Sequence, residues 1–277
     1  MEGATDPSGP RRRAFSSATG AAAYETGRPG YPDRVYEILR ETCGLGPGTR
    51  LLEIGPGTGQ ATGRLLDLGA SVVAVELGGE LAERLQRRYG TRDLVVQTGA
   101  FEDLEVTPGW FDLITAATSF HWVPTDDGLH RCADALAPGG WLALWWTFFG
   151  DPDRPDPLHE ALTARLATLA PSLLDVPGAS GSAGDAGPYA LDAAARTGEI
   201  DATGRFGPVH HEVIAWTGRH TAREVRALFG SFSPWLLLPD GQREEVLDEV
   251  ERLARYEFGD LVERPYLTPV YVAQRSA

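Results

Sequence analysis

The residues able to do chemistry are concentrated in Leu51-Leu-Glu-Ile-Gly-Pro-Gly-Thr-Gly-Gln60, an apolar run with one acid that leads into glycines at positions 55, 57 and 59. A turn so poor in side chains lets main chain approach a ligand, and the helix after it offers unpaired N–H groups. Glu53 stands two residues before the turn, where its carboxylate can accept from the turn's N–H groups. Glu76 closes the next apolar run, 17 residues after Gly59, and a carboxylate at that strand tip can grip both hydroxyls of a ribose. A dinucleotide fingerprint requires glycines at relative positions 1, 3 and 6, and counting from Gly55 the sixth residue is Gln60. No basic residue between Leu51 and Arg64 could meet phosphate charge. An adenosine-containing ligand without phosphates fits these residues better than a dinucleotide does.

Composition narrows the chemistry further. The 277 residues carry 25 basic and 39 acidic side chains, a net charge of −14 that disfavours nucleic-acid and anionic-membrane surfaces. Every basic residue is arginine, so Schiff-base, pyridoxal-anchor and phosphate-loop lysine chemistry are excluded, and without asparagine there is no N-glycosylation site. Cys43 and Cys132 are too few and too far apart for a disulfide framework or a cysteine zinc site, and no histidine pair has metal-ligand spacing with carboxylates. No apolar run approaches the length of a bilayer span, which points to a soluble cytoplasmic protein.

The elements that must position these residues alternate regularly. Strands are expected at Arg50–Ile54, Ser71–Glu76, Asp93–Gln97, Phe111–Ala116 and Trp141–Thr147. Helical stripes lie between them, at Ala61/Leu65/Leu68, Leu81/Leu85/Tyr89 and Leu129/Cys132/Ala133/Leu136. A further helix starts at Pro32. This rhythm implies an α/β fold, a doubly wound, mostly parallel seven-stranded sheet. Its last two strands are expected at Val209–Thr217 and Leu267–Ala273, and Pro265 and Pro269 point to an edge or a bulge in the final one. Helices are expected at Leu158–Leu169, Thr221–Phe229 and Gln242–Tyr256. The domain reading is a flexible arm over 1–23, a ligand-binding core over 24–147, an insertion or cap over 148–208 with a flexible section at 176–190, and sheet completion over 209–277.

Leu51–Gln60 resembles motif I of the class I S-adenosylmethionine-dependent methyltransferases. The segments Gly99-Ala-Phe-Glu-Asp-Leu104, Phe111–Val123 and Pro138-Gly139-Gly140 are similar to that family's third-strand loop, fourth strand and pre-fifth-strand turn. Tyr24, Arg28, Pro29, Tyr31 and Pro32 resemble the entry arm of a small-molecule subgroup that includes trans-aconitate-methyltransferase-like proteins. The resemblance implies S-adenosyl-L-methionine as cofactor and a small-molecule methyl acceptor, with no nucleic acid, membrane or metal. It leaves monomer or homodimer open. It also implies cofactor contacts from Tyr24, Arg28, Glu53, Gly55, Gly57, Gly59, Gln60, Glu76, Leu77 and Ala117. Relatives usually carry an acid where this chain has Ala100, so the adenine contacts fall to main chain around Ala100 and Phe101, with Glu102 as substitute.

His121 is the histidine that the motif places near methyl transfer, as a candidate general base or as a structural histidine. Tyr31, Trp122, Trp146 and Phe148 are candidates to line the acceptor pocket. Strand alternation puts Trp141 and Trp145 on one face and Trp146 on the other. Two rivals are an NAD-dependent oxidoreductase and a non-catalytic regulatory protein that binds S-adenosylmethionine.

Overall fold

The structure, a computed structural model, describes residues 24–174, 187–236 and 238–276. The arm expected over 1–23 lies outside these residues, as does most of the section expected to be flexible over 176–190. Seven strands form one sheet: β1 (Arg50–Ile54), β2 (Ser71–Glu76), β3 (Leu94–Thr98), β4 (Phe111–Ala117), β5 (Leu136–Trp145), β6 (His210–Thr221) and β7 (Leu261–Gln274). Their spatial order is β3-β2-β1-β4-β5-β7-β6, parallel from β3 to β5, with β7 antiparallel to both neighbours. After β3 the chain crosses to β4 on the far side of β1. The loops leaving β1 and β4 therefore diverge and open a crevice at the carboxyl ends of the strands, where α/β sheets hold ligands.

The final strand is not an edge. It lies between β5 and β6, and β6 is the outermost strand. Leu267 exchanges N–H and carbonyl with Phe148, so residues 265, 267 and 269 all direct their backbone groups toward the β5 side. Pairing with β5 proper covers only Val270–Gln274, so the donors that Pro265 and Pro269 lack would face a stretch with sparse pairing.

Three helices cover one face: α1 (Asp33–Glu41), α2 (Thr62–Asp67) and α3 (Gly79–Tyr89). They bury Ile38, Leu39, Leu65 and Leu85 against Leu51, Val72, Leu113 and Trp145. On the other face α4 (Thr125–Ala135) packs Leu129, Cys132 and Ala133 against Leu52, Ile114, Leu144 and Trp146. Trp145 and Trp146 thus enter opposite cores, as alternation requires.

After β5 come α5 (Pro157–Leu169), α6 (Gly187–Leu191) and α7 (Ala193–Ala202). Between β6 and β7 lie α8 (Ala222–Gly230), α9 (Ser233–Leu236) and α10 (Asp240–Tyr256). The described parts of 148–208 do not act as one unit. Ile200 of α7 joins the α4 side of the sheet, whereas Leu158, Leu162 and Leu166 of α5 share a third core with Val225, Phe229, Val246 and Val250 of α8 and α10. This third core is therefore assembled from both sides of β6. Among the described residues no helix is long and apolar enough to cross a membrane, and no group of His, Cys, Asp and Glu could hold a metal ion.

Candidate cofactor and acceptor site

The turn after β1 runs through Gly55, Gly57 and Gly59 at φ of 63°, 61° and 93°, a region that side-chain-bearing residues rarely adopt. Each glycine has its own reason. A Cβ on Gly55 would sit 2.6 Å from Cβ of Ser119, and one on Gly57 would sit 3.2 Å from the Tyr24 ring. Gly59 faces away from the crevice. Its Cβ would meet Tyr89 at 2.6 Å and Leu85 at 2.8 Å, so it closes α3 onto the turn instead of admitting a ligand. The close helix packing that a sixth-position glycine provides in dinucleotide folds is supplied here by Gly59 and by Gly63, whose Cβ would lie 2.6 Å from the Tyr89 hydroxyl. Gln60 turns its amide to the Thr58 hydroxyl, at 2.8 and 3.1 Å.

The turn-holding role read for Glu53 falls to Glu76. Gly57 N–H donates to Oε2 of Glu76 at 2.9 Å, and Gly78 N–H to its Oε1 at 2.8 Å. Glu76, not Glu53, therefore holds the turn. It is 5% exposed and lines the crevice at the end of β2. Burial raises its pKa, opposed by the Gly78 and Gly57 N–H groups. Glu53 points into the interior, where Oε2 accepts from the Thr62 hydroxyl at 2.7 Å and Oε1 has no hydrogen-bond partner. Burial pushes its carboxyl up to about 7, against the Thr62 hydrogen bond and with Glu76 adding to the rise. Glu53 is the penultimate residue of β1 and fully buried, whereas Glu76 is the last residue of β2 and so stands at the turn.

A cavity opens beside Glu76. Of the residues expected to bind cofactor, Tyr24, Gly55, Gly57, Glu76 and Leu77 line it, as do Ala100, Phe101 and Glu102 from the loop after β3. That loop is pinned from α4 by Arg131, which donates to the carbonyls of Phe101 (3.3 Å) and Leu104 (2.6 Å). Among the described residues Glu76 and Glu102 are the charged ones on the wall, and none is basic.

Arg28, Gly59, Gln60, Glu53 and Ala117 are not on this wall. Arg28 lies among the rings of Tyr24, Phe149 and Phe232, 4.8–5.2 Å from their centroids, and donates to the Ser231 hydroxyl at 2.8 Å. It fastens the arm to the cap, and Gly27 lies so close to α8 that a Cβ would meet Leu228 N at 2.1 Å.

Of the acceptor candidates, Trp122 lines the cavity. Tyr31 reaches it only through its hydroxyl bond to Thr118, at 3.1 Å. Trp146 is buried between Tyr189 and Tyr271, and Phe148 borders a separate hollow with Asp151 and His159. Both were candidates because they lie toward the carboxyl end of the strand expected at Trp141–Thr147, the open end of the sheet. However, Trp146 turns to the α4 core, and the bridge to Leu267 holds the backbone at Phe148 onto β7.

Trp146 donates its indole N–H to Nδ1 of His121 at 3.1 Å, and the His121 ring lies 4.9 Å from that of Trp122. An indole N–H can only donate, so the Nδ1 lone pair is occupied and the neutral ring carries its proton at Nε2. This tautomer is suited to donating a hydrogen bond and to seating Trp122; it does not suit the general-base role.

Sequence reasoning passed over Thr118, Ser119 and Val123, which line the cavity. The signal was present, since polar Thr118-Ser119 directly follow the apolar run Leu113–Ala117. At the carboxyl end of a central parallel strand, that change marks the crevice.

A methyltransferase-domain profile matches residues 52–144 of the chain. An uncharacterized methyltransferase of Mycobacterium tuberculosis is 35% identical over 132 residues, 48% of this chain and 51% of that protein. The chain thus spans about half the length of its mycobacterial relatives. An uncharacterized methyltransferase of Schizosaccharomyces pombe is 24% identical over 262 residues, 93% of this chain and 96% of its own. Among solved structures, phosphoethanolamine N-methyltransferase 2 of Haemonchus contortus, in complex with S-adenosyl-L-methionine, shares the fold with a TM-score of 0.60 at 17% identity. That likeness covers 100% of this chain and 61% of the other.

Proposed function

We propose that this chain is a class I S-adenosylmethionine-dependent methyltransferase, as the methyltransferase-domain match over residues 52–144 and the methyltransferase relatives support, and that it transfers a methyl group from that cofactor to the oxygen, nitrogen or carbon of a small molecule. The observation that carries the reading is Glu76, buried and held at both oxygens by Gly57 and Gly78 N–H groups beside a cavity whose described wall has no basic side chain. The cavity suits a ribose and an adenine ring, and among the described residues it brings no cationic side chain to a diphosphate.

Glu76 would take the ribose hydroxyls, and main chain at Ala100–Phe101, with Glu102, would border the adenine. Tyr24 and Trp122 would close the cavity over the amino-acid end and the acceptor. The bound cofactor supplies an electrophilic methyl on a sulfonium. The chain's contribution is alignment and exclusion of water, which can account for most of the acceleration of such a displacement. Aromatic faces such as those of Tyr24 and Trp122 are favourable neighbours for a cation. Residues 24–147 form the binding unit in this reading, and the core shared by α5, α8 and α10 carries the arm through Arg28 and Gly27.

Titration with S-adenosylhomocysteine and with NADH tests the site. Saturable binding of the first and none of the second is expected, and the reverse would establish the oxidoreductase reading. Transfer of labelled methyl to a metabolite library tests turnover; tight binding with persistent silence would favour a regulatory protein. His121→Ala is expected to change kcat by less than about tenfold, with no break near the histidine pKa in the pH profile. A general base would lose about 10²–10⁴-fold on removal.

A further inference from the structure

Thr118 is one of two non-glycine residues at positive φ among those described, at φ 55°, and it lines the cavity. A β-branched residue is costly in that region, and such conformations persist where the surroundings impose them, often at binding sites. Here they do. Thr118 N–H donates to Trp145 O at 2.7 Å, Thr147 N–H donates to the Thr118 hydroxyl oxygen at 3.2 Å, and the Tyr31 hydroxyl lies 3.1 Å from that same oxygen. The arm, the end of β4 and the segment after β5 converge on one hydroxyl.

The proton count around that oxygen is informative. Tyr31 and Thr118 bring two O–H protons to a single mutual hydrogen bond, and Thr147 can only donate. One hydroxyl proton of the pair is therefore left over, on a group already polarised by the donors it accepts from. Neighbouring Ser119 has no such surplus, because its hydroxyl donates to Ile54 O.

We propose that the Thr118 hydroxyl is a ligand-recognising donor of this cavity, addressed to a carboxylate or carbonyl oxygen of a bound molecule. On a wall whose described residues include no basic side chain, a polarised hydroxyl is a means of orienting such an oxygen without a fixed cation. The inference rests on the cofactor reading of the cavity. The oxygen belongs either to the amino-acid tail of the cofactor or to the methyl acceptor.

The test compares wild type, Thr118→Val and Thr118→Ser in calorimetric binding of S-adenosylhomocysteine and of 5′-methylthioadenosine, which lacks the tail. The same proteins, loaded with S-adenosylhomocysteine, are titrated with a panel of small mono- and dicarboxylates. A tail contact predicts that Thr118→Val weakens S-adenosylhomocysteine about tenfold and leaves methylthioadenosine unchanged. An acceptor contact predicts unchanged S-adenosylhomocysteine and about tenfold weaker binding of a carboxylate. Thr118→Ser restores affinity in either case, which a purely structural role for the side chain would not require. Thr118→Gly, at ease at positive φ but lacking the hydroxyl, must show the same loss should the valine variant fail to fold. Wild-type affinities for every probe in Thr118→Val overturn the proposal while leaving the cofactor reading intact. Failure of the wild type to bind S-adenosylhomocysteine overturns the cofactor reading itself.

Discussion

Replacing Glu76 by alanine is expected to weaken S-adenosylhomocysteine binding roughly 5- to 150-fold, the equivalent of about 1–3 kcal/mol for lost hydrogen bonds to a charged group. The loss has two sources. The ribose hydroxyls would lose their acceptor, and the Gly57 and Gly78 N–H groups would lose theirs, loosening the turn that forms the cavity floor. Glu76→Gln separates this from a simple charge effect. Both oxygens accept from backbone N–H groups, so an amide must present its NH2 to one of those donors. Glutamine should therefore lose nearly as much as alanine. Calorimetric titration of the three proteins decides the matter, and unchanged affinity in the alanine variant would mean that the ribose does not lie at the tip of β2.

The second large effect is on stability. Glu53 is fully buried with its carboxyl pushed up to about 7, from an unfolded-state value near 4.5. Between those values the folded chain keeps a proton that the unfolded chain releases. Stability is thus fully present below 4.5, falls as pH rises through the window and levels off above about 7, a total of about 3 kcal/mol from this one group. Glu53→Gln removes the titration. It keeps an acceptor for Thr62 and leaves at most a neutral amide unpaired where the carboxylate would be charged. Urea unfolding should show the variant more stable than wild type at pH 8, by up to about 3 kcal/mol, with the advantage shrinking toward pH 5. A variant less stable than wild type at pH 8 would mean that the Glu53 charge is compensated within the fold.

Much of the architecture was legible along the chain. The strands β1 to β5 and the helices between them follow from apolar period and from glycine and proline punctuation, and the strand tips placed Glu76 and the loops after β1, β3 and β4 at one end of the sheet. The helix α7 escaped notice. Its sequence, Ala193-Ala-Ala-Arg-Thr-Gly-Glu-Ile-Asp-Ala202, reads as a continuation of an Ala/Gly-rich stretch, and its start is marked only by the Asp192 cap on Ala195 N–H. The joining of α5 to α8 and α10 was not legible either, because α5 lies on one side of β6 in sequence and α8 and α10 on the other. The packed core of Leu162, Phe229 and Val250 and the Arg165–Glu249 ion pair bring them together.

The sequence by itself determined the sheet, the bend after its first strand and the acid that meets that bend, because periodicity and side-chain-free turns are local properties of the chain. Tertiary structure alone decided which acid holds the turn, which glycine packs a helix instead of facing the crevice, and that Trp146 occupies the imidazole nitrogen a base would need. Those outcomes depend on Thr62 meeting Glu53, Gly57 meeting Glu76, Tyr89 meeting Gly59 and Trp146 meeting His121, each pair at least nine residues apart in sequence.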